Sequence, residues 1–539
     1  MNLLNFKSYS FLLFLSASLL CYYAVPKRHQ WKALLGANIA FYAASGPLNF
    51  IFILLTSVST FLGAAFSDRL NVRAQQRKAS GGFSKEELKE QKARDLGKKR
   101  AVLAAVIVVN FGTLFLLKYW NALAAFLGEK LAADLSFLHF GGNGGLLLPL
   151  GISFYTFQSF AYFMDVYNGK YRGEKSFPRY FLFVSFFPQL IMGSINRYDK
   201  LGSQLKEEHA FDFENMKKGA LLILFGAMKK YCIADLLSGR ISAVLDHSYT
   251  NLPGALIGGA IVMFSIYQYA DFSGGIDMVL GFARLFGIRM QPNFRQPYFA
   301  ASLADFWRRW HISLGLWMKD YVFYPLVFTK RMQRLAKFCQ NRMGKHFART
   351  VPAGIANIAV FLIVGIWHGP ELHFVLWGLF NGLVIALSDM MRPASDRLSV
   401  FFHTERAPRL FRIFQAARTF LVVNIGAYFD RIADVRLSFL YLKRTFLDFG
   451  PLSVLKSRSY LKSIFGSFRN VESELVLIFT AGMIVFAASL LREKKDSLYP
   501  AIQSKNIAVR WAAYYVPMLL ILLAQSYAPG TPLFMYAQY

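Results

Sequence analysis

Two histidines stand five positions apart in the stretch "GIWHGPELHFVLWGLFNG" (residues 365–382), which is otherwise almost wholly apolar. An imidazole with a reference pKa of about 6.5 is neutral at pH 7 and can accept a proton there. His368 follows Trp367 and precedes Gly369 and Pro370. That Gly-Pro step interrupts the apolar run and sets the ring where two helix ends meet, a natural place for a cavity. The competing reading is a hydrogen-bonded histidine at a helix end.

A second cluster, "DFWRRWHISLGLWMKDYVFYPL" (305–326), alternates aromatic and charged residues. At about 100° per residue, Trp307, Trp310, Leu314, Trp317 and Tyr321 line one stripe with His311 beside it. This predicts a single helix lying in the membrane interface. His311 would point away from a lipid-facing stripe. It is expected to share a cavity with His368, although 57 residues separate them. A third stretch, "YADFSGGIDMVLG", carries Asp271 and Asp277 in a membrane-length segment. Paired carboxylates handle protons or bind cations, or they cap helix ends. Capping is the preferred reading, with the 254–286 run broken at "DFSGGID". The stretches "LPLGISFYTFQ" and "FFPQLIMGSINRYDKL" add Gln158, Asn196 and Arg197 at the edge of apolar surface.

These residues need a scaffold built for lipid. The chain has 539 residues, 55% of them hydrophobic, with 54 phenylalanines, and its mean hydropathy is +0.34. Soluble domains are about 45–50% apolar, so this is an integral membrane protein. A hydrocarbon core of about 30 Å takes roughly 20 residues per helix. On that ruler spans fall near 8–25, 32–46, 47–66, 101–127, 145–167, 178–194, 217–238, 254–286, 351–369, 371–389, 410–428, 473–491 and 509–526. The predicted fold is all-α and polytopic, with about 11–13 transmembrane or re-entrant helices. The first span lacks a small-residue cleavage site and reads as a retained helix.

A net charge of +30 would suggest nucleic acid in a soluble chain. Here the basic residues fall between apolar segments, as in cytoplasmic loops. Residues 68–100 hold eleven Lys or Arg, and 329–349 hold seven with no acid. Both are expected in the cytoplasm and the N-terminus outside. Cys21, Cys232 and Cys339 form no CxxC pair, so neither a disulfide framework nor a zinc site is expected. No internal repeat is evident, and the chain reads as one integrated membrane domain over 1–539.

Six ordered motifs then carry a resemblance: "LPLGISFYTFQ", "FFPQLIMGSINRY", "YADFSGGIDM", "NFRQPY", "FWRRWHISLGLW" followed by Lys319-Asp320-Tyr321, and "GIWHG" followed by "FVLWGLFNG". In this order they resemble the membrane-bound O-acyltransferase superfamily, in its bacterial branch of alginate O-acetylation and teichoic-acid D-alanylation proteins. The match covers about 145–385 as a catalytic core, with 68–100 a basic cytoplasmic loop and 395–539 C-terminal helices. The family commonly has Gly-Pro-Ile where this chain has Gly193-Ser194-Ile195. After "YVFYPL" the chain follows the D-alanylation branch, while its N-terminal half and length lean toward the alginate branch.

The resemblance implies helices enclosing a central cavity and catalytic roles for His368 and His311. The expected substrate-binding set is Trp367, Arg197, Asn196, Gln158, Trp310, Asp320 and Asp271. It implies no bound cofactor or metal, and an acyl donor that is acetyl-CoA or an acyl carrier protein thioester on the cytoplasmic side. The expected acceptor is an extracellular polymer or acetyltransferase, within a bacterial inner or plasma membrane and with no nucleic acid partner. The expected reaction is O-acetylation of a surface polysaccharide. D-alanyl transfer toward teichoic acid is the alternative, and a proton-coupled transporter or flippase the alternative class.

Overall fold

A computed structural model describes residues 6, 8–44, 46, 49–131, 149–246, 252–450, 457, 471–494 and 497–527. Residues 145–148 of the predicted 145–167 span, and 451–456, 458–470 and 528–539 of the C-terminal segment, lie outside the described residues. Among the described residues every regular element is helical and none is a strand, as an all-α polytopic membrane protein requires. Eight of these helices are long and apolar enough to cross a membrane.

The chain divides into two compact units. The first takes in the chain up to Ala220 together with Val279–Gln291, and the second takes in Leu221–Met278 and the chain from Pro292 onward.

The first unit holds α1 (Tyr9–Ala24), α2 (Gln30–Ala44), α3 (Phe50–Ala79), α4 (Lys85–Leu131), α5 (Ile152–Tyr167), α6 (Phe177–Val184) and α7 (Phe187–Met192). At 1.5 Å per residue, the 30 residues of α3 extend about 45 Å, beyond a hydrocarbon core of about 30 Å. Its polar C-terminal half therefore continues outside the apolar zone. The predicted 178–194 span is two short helices, because Pro188 cannot continue α6 and instead starts α7. Gly151 precedes α5 with φ +69, and a Cβ there would lie 2.5 Å from the Leu190 carbonyl oxygen. Only glycine combines that left-handed backbone with such an approach. Polar ties complete the packing: Thr60 and Tyr180 share a hydroxyl bond of 2.7 Å, and Arg172 reaches Asp68 at 2.8 Å.

In chain order there follow α8 (Phe213–Lys229), α9 (Asp235–Leu245), α10 (Gly254–Leu285), α11 (Leu303–Arg309), α12 (Ile312–Met318), α13 (Tyr324–Val327), α14 (Lys330–Met343), α15 (Lys345–His368), α16 (Leu372–Met390), α17 (Arg392–Phe401), α18 (Pro408–Arg431), α19 (Val435–Leu447), α20 (Val471–Lys494), α21 (Tyr499–Gln503) and α22 (Ile507–Tyr527). All but the start of α8 and the end of α10 belong to the second unit.

Two expectations are corrected here. First, α10 runs unbroken for 32 residues through "DFSGGID". A glycine contact holds it: a Cβ on Gly274 would lie 2.7 Å from the Gly226 carbonyl oxygen of α8. Neither aspartate is at a helix end, so neither caps one. Second, the predicted in-plane helix over 305–326 is four pieces: α11, α12, a π turn at Lys319–Phe323 and α13. The break falls at His311, whose φ of 48 is left-handed. A uniform 100° stripe cannot pass through it, and Trp310, Leu314 and Trp317 are buried rather than facing lipid.

Candidate active site

His368 is the last residue of α15, and α16 begins at Leu372. The two helices form a tight antiparallel hairpin. Side chains at Gly365 and Gly378 would collide with the carbonyl oxygens of Phe374 and Phe361, so glycine alone permits this backbone approach, as in small-residue seams of membrane helices. Gly369-Pro370 turns the chain and leaves His368 half-buried at the tip. The imidazole is caged by aromatic rings, with centroids 4.9 Å from Trp367, 5.8 Å from Phe374 and 5.3 Å from Trp377. Five residues on, His373 is buried and donates Nδ1–H to the Phe429 carbonyl at 2.7 Å. A carbonyl only accepts, so this bond fixes its ring.

His311 is fully enclosed at 3% exposure. Its ring meets Phe272 edge-on at 4.9 Å. The polar partner is Asn293, which the sequence reading quoted within "NFRQPY" without giving it a role. Asn293 Oδ1 accepts two bonds of 2.9 Å from Ser313, one from the backbone N–H and one from the hydroxyl, and the Asn293 carbonyl accepts Ile312 N–H at 3.0 Å. His311 Nδ1 lies 3.2 Å from Asn293 Nδ2 and 3.4 Å from Oδ1; because Oδ1 already accepts two bonds from Ser313, the shorter contact is assigned as Nδ2–H donating to Nδ1. Nδ1 therefore accepts, and the neutral ring carries its proton on Nε2. Nε2–H is a hydrogen-bond donor, the polarity needed to stabilise an oxyanion rather than to take up a proton.

The two histidines belong to one unit, and aromatic contacts run between their surroundings. Trp310 stacks on Phe306 at 5.4 Å, Phe306 meets Trp307 at 5.2 Å, and Trp307 meets Trp377 of the His368 cage at 5.5 Å. Trp307 also donates its indole N–H to Asn381 Oδ1 at 3.0 Å. Trp310 packs edge-on against Phe294 at 5.0 Å and against Phe272, the ring that meets His311, at 6.4 Å.

Asp271 sits in a buried ion-pair cluster that sequence reasoning missed. Lys230 Nζ lies 2.6 Å from Asp271 and 2.9 Å from Asp235, and Lys229 Nζ lies 2.6 Å from Asp277. Consecutive lysines 100° apart on an α-helix would not both face inward. The π turn Lys230–Ala234 begins between them and rewinds the backbone there. The signal was present: Lys229-Lys230 in an apolar run of membrane length has no reason to exist without carboxylate partners.

Of the remaining predicted residues, three belong to the first unit and one to the second. In the first unit Gln158 donates to the Phe183 carbonyl at 2.9 Å. Asn196 donates to Gln189 Oε1 at 3.1 Å and to the Ser194 carbonyl at 2.9 Å, and accepts Gln291 N–H. Both amides hold backbone in shape. Arg197 is half-buried next to Asn196. Asp320, in the second unit, is exposed on the π turn after α12.

Comparison with known proteins bears directly on this arrangement. The profile of the MBOAT, membrane-bound O-acyltransferase family, matches residues 174–340 and 341–423, a region that includes both His311 and His368. The probable alginate O-acetylase AlgI of Pseudomonas syringae pv. tomato is 34% identical over 286 residues, 52% of this chain and 48% of that protein. The peptidoglycan O-acetyltransferase of Helicobacter pylori is 30% identical over 371 residues, 64% of each. The teichoic acid D-alanyltransferase of Bacillus subtilis is 29% identical over 253 residues, 44% of this chain and 58% of that protein. The chain thus spans about half the length of the alginate relatives it matches.

Proposed function

Residues 174–423 match the membrane-bound O-acyltransferase family, and from that match we propose that the chain transfers an acyl group, most simply acetyl, from a cytoplasmic thioester to the hydroxyl of an extracellular polysaccharide. The observation that carries this reading is the complementary pair of imidazoles in the family's motif order. His311 is held as an Nε2–H donor by Asn293, and His368 stands half-buried at the hairpin tip.

In the proposed step, His368 takes the proton of the acceptor hydroxyl as that oxygen attacks the thioester carbonyl carbon. Such general-base help supplies about 10²–10⁴ in rate. The carbonyl oxygen becomes an oxyanion, to which His311 Nε2–H donates. The C–S bond then breaks, the sulfur leaves with the proton returned by His368, and the acyl oxygen ester remains. The donor is acetyl-CoA or an acyl carrier protein thioester, and no bound cofactor enters. The protein itself resides in a bacterial inner or plasma membrane.

The acceptor follows from the relatives. The alginate O-acetylases and the peptidoglycan O-acetyltransferase favour acetyl transfer to a glycan. D-alanyl transfer toward teichoic acid is the second reading, favoured by "VFTKRMQRLAKF" after Pro325-Leu326. Mass spectrometry of cell-surface glycans with and without the gene tests both. Loss of O-acetyl groups is expected; loss of D-alanyl esters selects the second reading, and an unchanged ester content overturns both in favour of a transporter.

A further inference from the structure

A cavity of about 400 Å³ opens in the second unit between α10, the segment Gln296–Phe299, and α20. Its size falls within the range of ligand pockets, about 300–1,000 Å³. The lining is almost entirely hydrocarbon and aromatic, with Ile266 and Tyr269 on one side and Met483 and Phe486 on the other. Met483 and Phe486 are about half exposed on a helix long and apolar enough to cross a membrane. The cavity thus opens on a surface made for lipid chains.

One side chain does not fit a passive apolar groove. Gln296 lines the cavity and is 6% exposed, yet its Oε1 has no hydrogen-bond partner. Its backbone is also left-handed, φ 42, a conformation that costs a non-glycine residue energy. A lone amide in such surroundings is unfavourable unless something bonds to it. The neighbouring Tyr298 cannot serve, because its hydroxyl already donates to the Ser265 carbonyl.

We propose that this cavity is a binding site for a single-chain alkyl amphiphile bearing a hydroxyl group, with the hydroxyl bonded to the Gln296 amide. A hydroxyl both donates and accepts, so it satisfies whichever face the amide presents. At about 400 Å³ the cavity lies at the small end of ligand pockets, about 300–1,000 Å³, which favours one alkyl chain over two. Tyr269 and Tyr298 form the inner wall and also touch Trp310, at 6.2 and 6.3 Å. The amphiphile would therefore rest against Tyr269 and Tyr298, whose neighbour Trp310 packs on Phe272, the ring that meets His311. This site is independent of the acyl-transfer reading.

The test uses the full chain in detergent with dodecanol carrying a photoreactive diazirine, and adducts mapped by peptide mass spectrometry. Comparators are the corresponding methyl ether and a two-chain diazirine phosphatidylcholine. Gly482→Phe fills the cavity, since a Cβ at Gly482 meets no atom within 4 Å; Gln296→Met removes the amide. The expected result is labelling of the Tyr298 and Met483 peptides that unlabelled dodecanol competes away. Gly482→Phe should reduce it by about tenfold or more, and Gln296→Met should bring the alcohol down to the level of the ether, both variants unfolding at the temperature of the parent chain. Equal labelling by alcohol and ether in the parent chain would overturn the proposal. So would labelling indifferent to Gly482→Phe, or competition by phosphatidylcholine as effective as by dodecanol.

Discussion

Asn293 is the residue on which the chemistry of His311 turns. Its Oδ1 is occupied by Ser313, which leaves the amide to donate and sets the proton on His311 Nε2. Asn293→Ala should lower kcat by about 10²-fold, the scale of losing one oxyanion donor, with little change in KM for the acyl donor. Asn293→Asp is nearly isosteric but reverses the tautomer, because a carboxylate accepts from Nδ1–H and turns Nε2 into an acceptor. It should be no more active than Asn293→Ala while unfolding at the parent temperature. Steady-state kinetics in reconstituted vesicles checks this, and an Asp variant with parent kcat would remove the oxyanion role. The sequence makes both histidines visible, since an imidazole beside Trp and Gly in apolar surroundings is conspicuous. It hides Asn293, because a bond that spans 18 residues across a left-handed turn has no periodic signature.

Among the elements, the π turn after α8 explains why two adjacent lysines can be buried. Lys229 and Asp277 are 2% and 10% exposed, so truncating one strands the other. Lys229→Met should cost about 3–5 kcal/mol, and Lys229→Met with Asp277→Leu should recover most of that. Thermal unfolding of the two variants measures it; a double variant as unstable as the single would mean the pair is not what holds α8 to α10. A second element-level device is the loop before α6. Burial raises the Glu174 carboxyl, but Lys206, the Tyr198 hydroxyl and the Ser176 N–H outweigh it and hold the group at about 2, below the ordinary 4.5. A folded value below the unfolded one stabilises above about pH 4.5 and loses that contribution as pH falls toward about 2. Proteolysis of the 168–176 loop should therefore accelerate on acidification through that window, and in Glu174→Gln it should be fast already at neutral pH and insensitive to acid. Such elements mark the limit of pattern reading. Apolar length located α16 and α18 within a few residues at both ends, but α3 runs 13 residues past the predicted 47–66 span because its polar continuation carries no apolar signal. The in-plane helix and the broken α10 failed because a left-handed His311 and a Gly226–Gly274 contact are tertiary choices.

At the scale of the molecule, membrane class and helical architecture follow from composition alone, since 55% apolar residues in long runs have no soluble solution. The distribution of charge carries the orientation. Residues 68–100 and 329–349, with eleven and seven basic residues, should both face the cytoplasm. Single cysteines placed in either segment, in a chain freed of Cys21, Cys232 and Cys339, should resist an impermeant thiol reagent in intact cells and react after permeabilisation. Labelling from outside would reverse the direction of transfer. That direction matters only if transfer occurs, and His368 decides it. In cells lacking the gene, complementation with the parent chain or with His368→Ala should give equal amounts of membrane protein. The O-acyl content of the surface polymer under His368→Ala should fall to about a hundredth of the parent value or below, as loss of a general base requires. Retention of more than about a tenth of the parent content would contradict the account.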